Sequence, residues 1–550
     1  MTTEQAGPAT TTPARAGRRE WIALLVLALP ALLVSLDMFV LLLAMPYLSA
    51  DLGASSIEQL WILDVYGFLL ASLMLTMGTL GDRIGRRRLL LLGASGFAVA
   101  SVLAAFAVSP LMLIVARGLL GVAGATLAPS TLALITNLFR DPAQRAQAIG
   151  IWLVCFMGGA AIGPLVGGAM LESFWWGAAF LLGVPAMLLL LVLGPILLPE
   201  HRDTAAGRID LTSVALSLAA MLPAVYGLKE LARGGWQAVP ALALVVGLTT
   251  GVAFVRRQLH LEDPLVDLRL FRNRAFSTAV AGMHIITITG VTMYFVTQHL
   301  QLVEGLAPLV AGLVMLPGVL ASVTSFVMAP VLARRIRPAP LIATGLVVAT
   351  AGVVVLTRVE PGSLVLLAVG YVLFQLGCGP MVTLSTDIVV GSAPPERAGS
   401  AAATSESVSE LGYSLGIATL GTVAAVVYGR VIEIPAALAP AAEAQARESL
   451  TGAITAAREL RPGLADSLVG AARDAFMLGA DVALWIVAGL LGGLAAVVLR
   501  MLRHLPPSRP APHEATGDHT ADGAGASPSD EIHPTETVPA LVPDARREDS

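Results

Sequence analysis

Charge is what this 550-residue chain most lacks: Asp, Glu, Lys and Arg together make up 13% of it, where a soluble domain carries roughly 25%. The shortage is uneven. Long stretches hold no charge at all, 56% of the residues are apolar and the mean hydropathy is +0.79, and such stretches read as membrane spans rather than as a water-soluble core. Lysine is almost missing. Lys229 stands alone against 33 arginines, a bias we assign to coding composition rather than to function. That scarcity excludes a phosphate-binding loop, which needs Gly-x-x-x-x-Gly-Lys-Ser/Thr, because Lys229 is followed by Glu230. No ATP site is therefore expected, and work must be driven by an ion gradient or by another subunit. Excess positive charge is missing too: the net charge is -4, which offers nucleic acid no basic face. The two cysteines, Cys155 and Cys378, lie in apolar runs and suggest neither a metal site nor a disulfide framework. No cofactor is expected. No cleavable signal peptide is expected either, since the apolar run after Arg15, Arg18 and Arg19 extends from Trp21 to about Leu48, well beyond the 7–15 or so residues of a signal's apolar region.

What the chain has is apolar runs long enough to cross a bilayer, which takes about 20 residues. They fall near 21–48, 58–80, 88–108, 111–138, 146–171, 175–198, 210–231, 237–256, 275–302, 307–333, 339–357, 363–391, 398–429 and 475–500, giving an all-α membrane protein of fourteen spans. Arginines gather on alternate connections, at Arg83 and Arg86–Arg88, Arg140 and Arg145, Arg202 and Arg208, Arg256 and Arg257, and Arg334, Arg335 and Arg337. Outside one long insert, which holds Arg430, Arg447, Arg458, Arg461 and Arg473, the opposite connections carry only Lys229, Arg233 and Arg358. Basic residues stay on the cytoplasmic side, so both termini are expected there, in a multi-pass protein of the cell membrane.

The expected organisation is a disordered tail 1–17, a six-helix half 18–200, two extra helices within 201–258, a second six-helix half 259–505 and a disordered tail 506–550 rich in Pro, Ser, Thr and acids. The second half carries an external insert, 430–474, with Ala-rich helical patterning. It reads as a lid or helical hairpin, or equally as a solvated connector. Leu80–Arg86 and Leu332–Pro338 match loosely, a faint sign of the two related halves seen in many secondary transporters.

Several motifs sharpen this. Gly78-Thr79-Leu80-Gly81-Asp82-Arg83-Ile84-Gly85-Arg86-Arg87-Arg88 resembles the major facilitator signature between the second and third helices. Arg117 with Gly121 and Gly124 resembles its fourth-helix motif, and Gly159 through Gly168, with Gly163, Pro164 and Gly167, resembles the fifth-helix motif of antiporters. Leu36-Asp37 with Ala44-Met45-Pro46, Trp61 to Gly67 around Asp64, and Glu406 with Glu410 are similar to the fourteen-helix drug/proton antiporter branch, in particular the quaternary-ammonium and methyl-viologen exporters. The likeness runs from about residue 20 to 503, with a departure at Trp176-Gly177-Ala178, where that branch usually has Trp-Arg-Trp. It implies a major facilitator fold, two six-helix halves plus two extra central helices, and a monomer that exports small lipophilic cations in exchange for protons.

The residues have physical readings of their own. Asp82 near a helix end suits an ion-pair latch to an arginine or to a neighbouring helix N-terminus, whereas Arg83 and Arg86–Arg88 serve as latch partners or as a topological anchor. Gly159, Gly163 and Gly167 share one helix face, where glycine permits close helix approach, and Pro164 removes a backbone hydrogen bond. Charges inside spans are costly and usually face a cavity or a partner. Asp37, Asp64 and Arg117 are such charges. Arg117 is free to pair with one aspartate, which leaves the other acid for chemistry. Glu406 lies nine residues past Arg397, about 13 Å along a helix, and Glu410 is one turn further on the same face. No basic residue shares their span. A carboxylate taken out of water favours its neutral form, while an arriving cation favours the charged one, so proton and cation compete for one acid. Tyr66, Trp152 and Phe156 offer either cation–π surface or plain packing, and His284 and His299 read as polar packing groups. Three readings compete: a multidrug cation/proton antiporter, an exporter of one natural product, and a membrane enzyme or receptor. The last would need a nucleophile cluster, metal set or cofactor loop that the sequence does not offer.

Overall fold

The computed structural model describes residues 16–139, 141–200, 210–261, 264, 268–392, 398–435 and 438–503. The proposed tails, apart from Ala16 and Gly17, lie outside them. The regular elements among the described residues are helices, as long uncharged runs require: a backbone in lipid must satisfy its own hydrogen bonds.

The first half comprises α1 (Arg18–Leu52), α2 (Ser56–Ile84), α3 (Arg86–Ala105), α4 (Pro110–Leu138), α5 (Pro142–Ser173) and a broken sixth member, α6 (Ala178–Leu181) with α7 (Gly183–Leu197). Their starts are marked locally. Ser55 and Glu58 form a reciprocal capping box on α2, and Ser109 and Asp141 cap α4 and α5 just before a proline. Two further helices follow, α8 (Leu211–Gly234) and α9 (Ala238–His260). The second half is α10 (Arg274–Ile288) with α11 (Val291–Gln298), α12 (Pro308–Ala333), α13 (Pro338–Leu356), α14 (Leu364–Ser392), α15 (Ala398–Gly416) with α16 (Thr422–Val431), and α19 (Pro462–Met501). Between α16 and α19 lie α17 (Pro440–Glu448) and α18 (Leu450–Ala457).

Thirteen helical stretches among the described residues are long and apolar enough to cross a membrane. The remaining expected span coincides with α5, 32 residues long, several of whose side chains lie outside the described residues.

Besides the sixth, two further expected single spans are interrupted. The ninth breaks at Thr289 and Gly290, between α10 and α11, where the Thr289 hydroxyl donates back to the Ile286 carbonyl at 2.6 Å and competes with the helical ladder. The thirteenth passes through a π-helical turn, Ile417–Gly421, between α15 and α16.

The insert is a folded cap rather than a plain connector. Leu450, Ala453, Leu468 and Ala472 pack with Tyr428, Ile432 and Val303 in a small core of their own. The Tyr428 hydroxyl donates to the Ala446 carbonyl at 2.7 Å, and Arg473 Nε donates to the Leu302 carbonyl at 3.1 Å.

The two halves touch where α2 meets α15 and α16 and where α5 meets α12. A Cβ added to Gly421 would lie 2.6 Å from Leu60 Cδ2, and one on Gly168 would lie 2.5 Å from Leu309 Cα. Leu60 and Leu309 each lie near the start of their helix, so these contacts sit toward the insert end of the bundle. Bare glycine lets the Leu309 backbone come this near to α5 and makes room for the Leu60 side chain at Gly421.

Candidate functional site

The charged residues inside the bundle sort into pairs and leftovers. Arg117 of α4 is 1% exposed, and its Nη1 donates to Asp37 Oδ2 of α1 at 2.6 Å. Its Nε donates to the Ile62 carbonyl of α2 at 3.2 Å. The guanidinium also lies 4.6 Å above the Tyr66 ring centroid and 6.0 Å from that of Phe180. The fourth-helix motif makes this possible. Gly121 and Gly124 share the Arg117 face of α4, and a Cβ on either would press on Tyr66, at 2.5 Å from its carbonyl oxygen and 3.0 Å from its hydroxyl respectively.

Asp64 does not remain as the spare acid. Lys229 Nζ of α8 donates to Asp64 Oδ2 at 2.7 Å, and both side chains are fully buried. The same ammonium lies 4.2 Å above the Trp61 ring. The reading that counted Lys229 among the residues of an outer connection is thereby corrected. It sits near the end of an apolar run, where sequence alone does not distinguish a connection from a core position. Its isolation as the one lysine in the chain was the available signal.

On the second half, Glu406 and Glu410 occupy one face of α15. Among the described residues neither takes an ion-pair or hydrogen-bond partner, and the charge that acts on Glu410 is Glu406. Glu406 is exposed and Glu410 half-buried. Glu410 is also close to the first half. A Cβ on Gly67 of α2 would lie 3.7 Å from the Glu410 carbonyl oxygen, and the Tyr66 hydroxyl is within electrostatic reach of Asp37, Glu410 and Arg117 together. Tyr413 joins them from α15, beside Glu410 and Arg117. Among the described residues, the Tyr66 and Tyr413 hydroxyls are buried without a hydrogen-bond partner. The structure thus brings Asp37, Arg117 and Glu410 together, with Glu406 one turn away, and sets Asp64 apart with Lys229.

Of the aromatic candidates, Tyr66 is taken up by Arg117, while Trp152 and Phe156 stack on each other at 5.9 Å. His284 Nδ1 is 2.9 Å from the Val408 carbonyl, joining α10 to α15 as a packing contact. His299 lies 3.3 Å from Glu304.

The loop motif between α2 and α3 turns at Gly85, whose φ of +109° suits glycine. Gly78 has open space around it, and Arg83 is exposed. Arg86 folds over the end of α2, its Cδ 3.0 Å from where a Gly81 Cβ would be. The Asp82 side chain lies outside the described residues, so its latch is not described. An acidic partner that the sequence reading missed is Glu200, whose Oε2 lies 3.5 Å from Arg87 Nε and 3.7 Å from Arg88 Nε. In the fifth-helix motif, Gly159 and Gly167 face Leu32 and Val40 of α1, whereas Gly168 faces Leu309 across the halves. Gly163 is buried, and the Pro164 side chain lies outside the described residues.

Membrane-length helices arranged in two sets, with charges buried among them, mark a multi-pass membrane protein. The chain belongs to the Major Facilitator Superfamily, whose model matches residues 27–417. It is 45% identical over 495 residues to the multidrug efflux pump LfrA of Mycolicibacterium smegmatis, covering 89% of this chain and 97% of that one. It is 35% identical over 472 residues to the methyl viologen resistance protein SmvA of Salmonella typhimurium, covering 85% and 95%. It is 36% identical over 413 residues to the puromycin resistance protein pur8 of Streptomyces alboniger, covering 74% and 82%. The fold is similar to that of a bacterial homologue of the human lysosomal transporter Spinster, with a TM-score of 0.62 and 17% identity, covering 88% of this chain and 99% of that one.

Proposed function

We propose that this chain is a drug-efflux transporter that exports lipophilic cations, such as quaternary ammonium compounds, dyes and viologens, in exchange for protons. The observation that carries the reading is the contrast among four acids. Asp37 and Asp64 each have a basic partner, while Glu406 and Glu410 have none among the described residues. An acid without a fixed counter-ion is the one able to trade a proton for a mobile cation. Glu406 and Glu410 are the exchanging pair. Asp37, which is 12% exposed, and the hydroxyls of Tyr66 and Tyr413 line the cargo's side of Glu410. Similarity to a multidrug efflux pump and to a methyl viologen resistance protein supports the cargo class.

In this reading the chain crosses the cell membrane fourteen times with both termini in the cytoplasm, works as a monomer, and needs no cofactor beyond the proton gradient. Contacts near Leu60 and Leu309 keep the insert side closed, and Glu406 opens toward the cytoplasm. The glycines and arginines of the loop and fifth-helix motifs govern the change between states.

Proton flux driven by drug in sealed, reconstituted vesicles tests this, with several cations compared against neutral compounds. Cargo movement that persists after the pH difference is collapsed would contradict it. A second reading, export of one natural product, is favoured by the similarity to the puromycin resistance protein and to a tetracenomycin C resistance and export protein. A substrate panel in a hypersensitive host separates the two, because a single-product exporter protects against one compound class alone.

A further inference from the structure

The extra helices α8 and α9 have so far no role in the exchange, yet α8 carries the only lysine in the chain and buries it completely. Its partners are ordered along one face of α2. Trp61 and Asp64 are three residues apart, one turn of the same face, and the Lys229 ammonium lies between the indole ring and the carboxylate. Further along, Phe68 of that face packs with Val225, Met221 and Leu222 of α8, and Leu73 packs with Val214 and Leu218. All these contacts are apolar apart from Lys229 and the Ser72 hydroxyl, which is 3.7 Å from Met221 sulfur. Apolar contacts between helices in lipid are non-directional and have no hydrophobic drive. The Lys229–Asp64 pair is directional, and two buried charges that separate in a membrane face a heavy desolvation cost. Among the described residues it is the one ion pair that joins α8 to the first half.

Against the second half, no ion pair or side-chain hydrogen bond of α8 is found among the described residues, and the contact there is an apolar cluster. Val225 lies with Ala418 of the π-helical turn and with Leu411 and Leu415 of α15. α8 therefore spans the seam between the halves, bolted on one side and greased on the other. Its companion α9 is fastened to it in turn: Arg257 forks onto Asp210 at 2.9 and 3.2 Å, and the Thr250 hydroxyl donates to the Ala219 carbonyl at 2.8 Å.

We infer that Lys229 is a positioning residue that locks the α8–α9 pair to the first half through Asp64, so that the pair travels with that half and slides along the π-helical turn and α16 during transport, and that Asp64 is a fixed counter-ion rather than an exchanging acid. This rests on the export reading only for its transport readouts.

The test uses the full chain and the variants K229M, D64N, K229M/D64N and the swap D64K/K229D. In melting of the purified protein, each single change lowers the midpoint, and the double and swapped variants recover most of the loss. Additive losses would overturn the lock. In vesicles, K229M/D64N keeps the wild-type ratio of protons to cargo and moves cargo within a few-fold of wild type. A double variant as inactive as D64N alone would show that the Asp64 carboxylate itself exchanges, overturning the assignment. Cysteine pairs in a cysteine-free background test the sliding. A bridge between positions 68 and 225 leaves transport intact, and one between 225 and 418 stops it until reduced. The reverse pattern would place the pair with the second half. A wild-type protein that moved no lipophilic cation would overturn the export reading and leave the melting cycle to decide the lock.

Discussion

Arg117 and Asp37 form a 2.6 Å ion pair between α4 and α1, and Arg117 is the one buried arginine among the described residues of the first half. Because Arg117 also holds the Ile62 carbonyl and the Tyr66 ring, it ties three helices at one point. Replacing it with methionine strands the Asp37 carboxylate. The expected cost is about 3–5 kcal/mol, the usual range for breaking a buried pair from one side, read as a lower melting midpoint. R117K recovers only part of it, since an ammonium cannot present the guanidinium's fork to Asp37 and Ile62 together.

The fifth-helix glycines divide by what they face. G159A drives a methyl onto the Leu32 carbonyl within the first half and is expected to destabilise the protein by about 1–3 kcal/mol, as overpacking does. G168A meets Leu309 backbone across the halves, so it opposes closure of the insert end instead. Transport falls at least several-fold while the melting midpoint stays near wild type. Equal destabilisation by both would show that Gly168 is ordinary packing.

The Tyr66 and Tyr413 hydroxyls have no hydrogen-bond partner among the described residues, so their removal is expected to cost the fold little. Y66F and Y413F are expected to melt like wild type and to bind cationic cargo several-fold more weakly. Unchanged affinity in both would remove the tyrosines from the cargo's surroundings.

At the far end of α8, Asp210 gives a pH signature. Burial raises its pKa, but hydrogen bonds from Arg257 and Ser213 and the guanidinium charge outweigh burial and leave it at about 2. A carboxylate depressed in the folded state stabilises above its unfolded value of about 3.9, and the contribution fades as pH falls toward about 2. Melting midpoints of wild type and D210N are therefore expected to differ at pH 6 and to converge on acidification. A difference that stays constant to low pH would rule out this pair as the source.

Much of the architecture was legible because lipid imposes a simple demand. Uninterrupted apolar runs predicted the thirteen membrane-length helices and α5, and the loop and glycine motifs pointed to the superfamily. What was not legible involved partners distant in sequence. Arg117 was seen to need an acid, but only the fold selects Asp37 over Asp64. Lys229 was counted with an outer connection because it lies five residues before Gly234, where α8 ends, and nothing local reveals Asp64 across the helix pair. Glu200 follows Pro199 at the end of a span and reads as a plain solvated acid until Arg87 and Arg88 are folded against it. The break at Thr289 and Gly290 was hidden because neither residue interrupts the apolar run. The last helix begins thirteen residues earlier than its apolar run, at Pro462 instead of 475, since Leu468 and Ala472 of its first turns pack into the core of the cap.

The most direct test of the exchange is proton release from purified protein in weakly buffered detergent when methyl viologen or ethidium is added. The account predicts release in proportion to the cargo bound by wild type, and none from E406Q/E410Q although that variant remains folded. Undiminished release from the double variant would place the exchanging acid elsewhere and contradict the account.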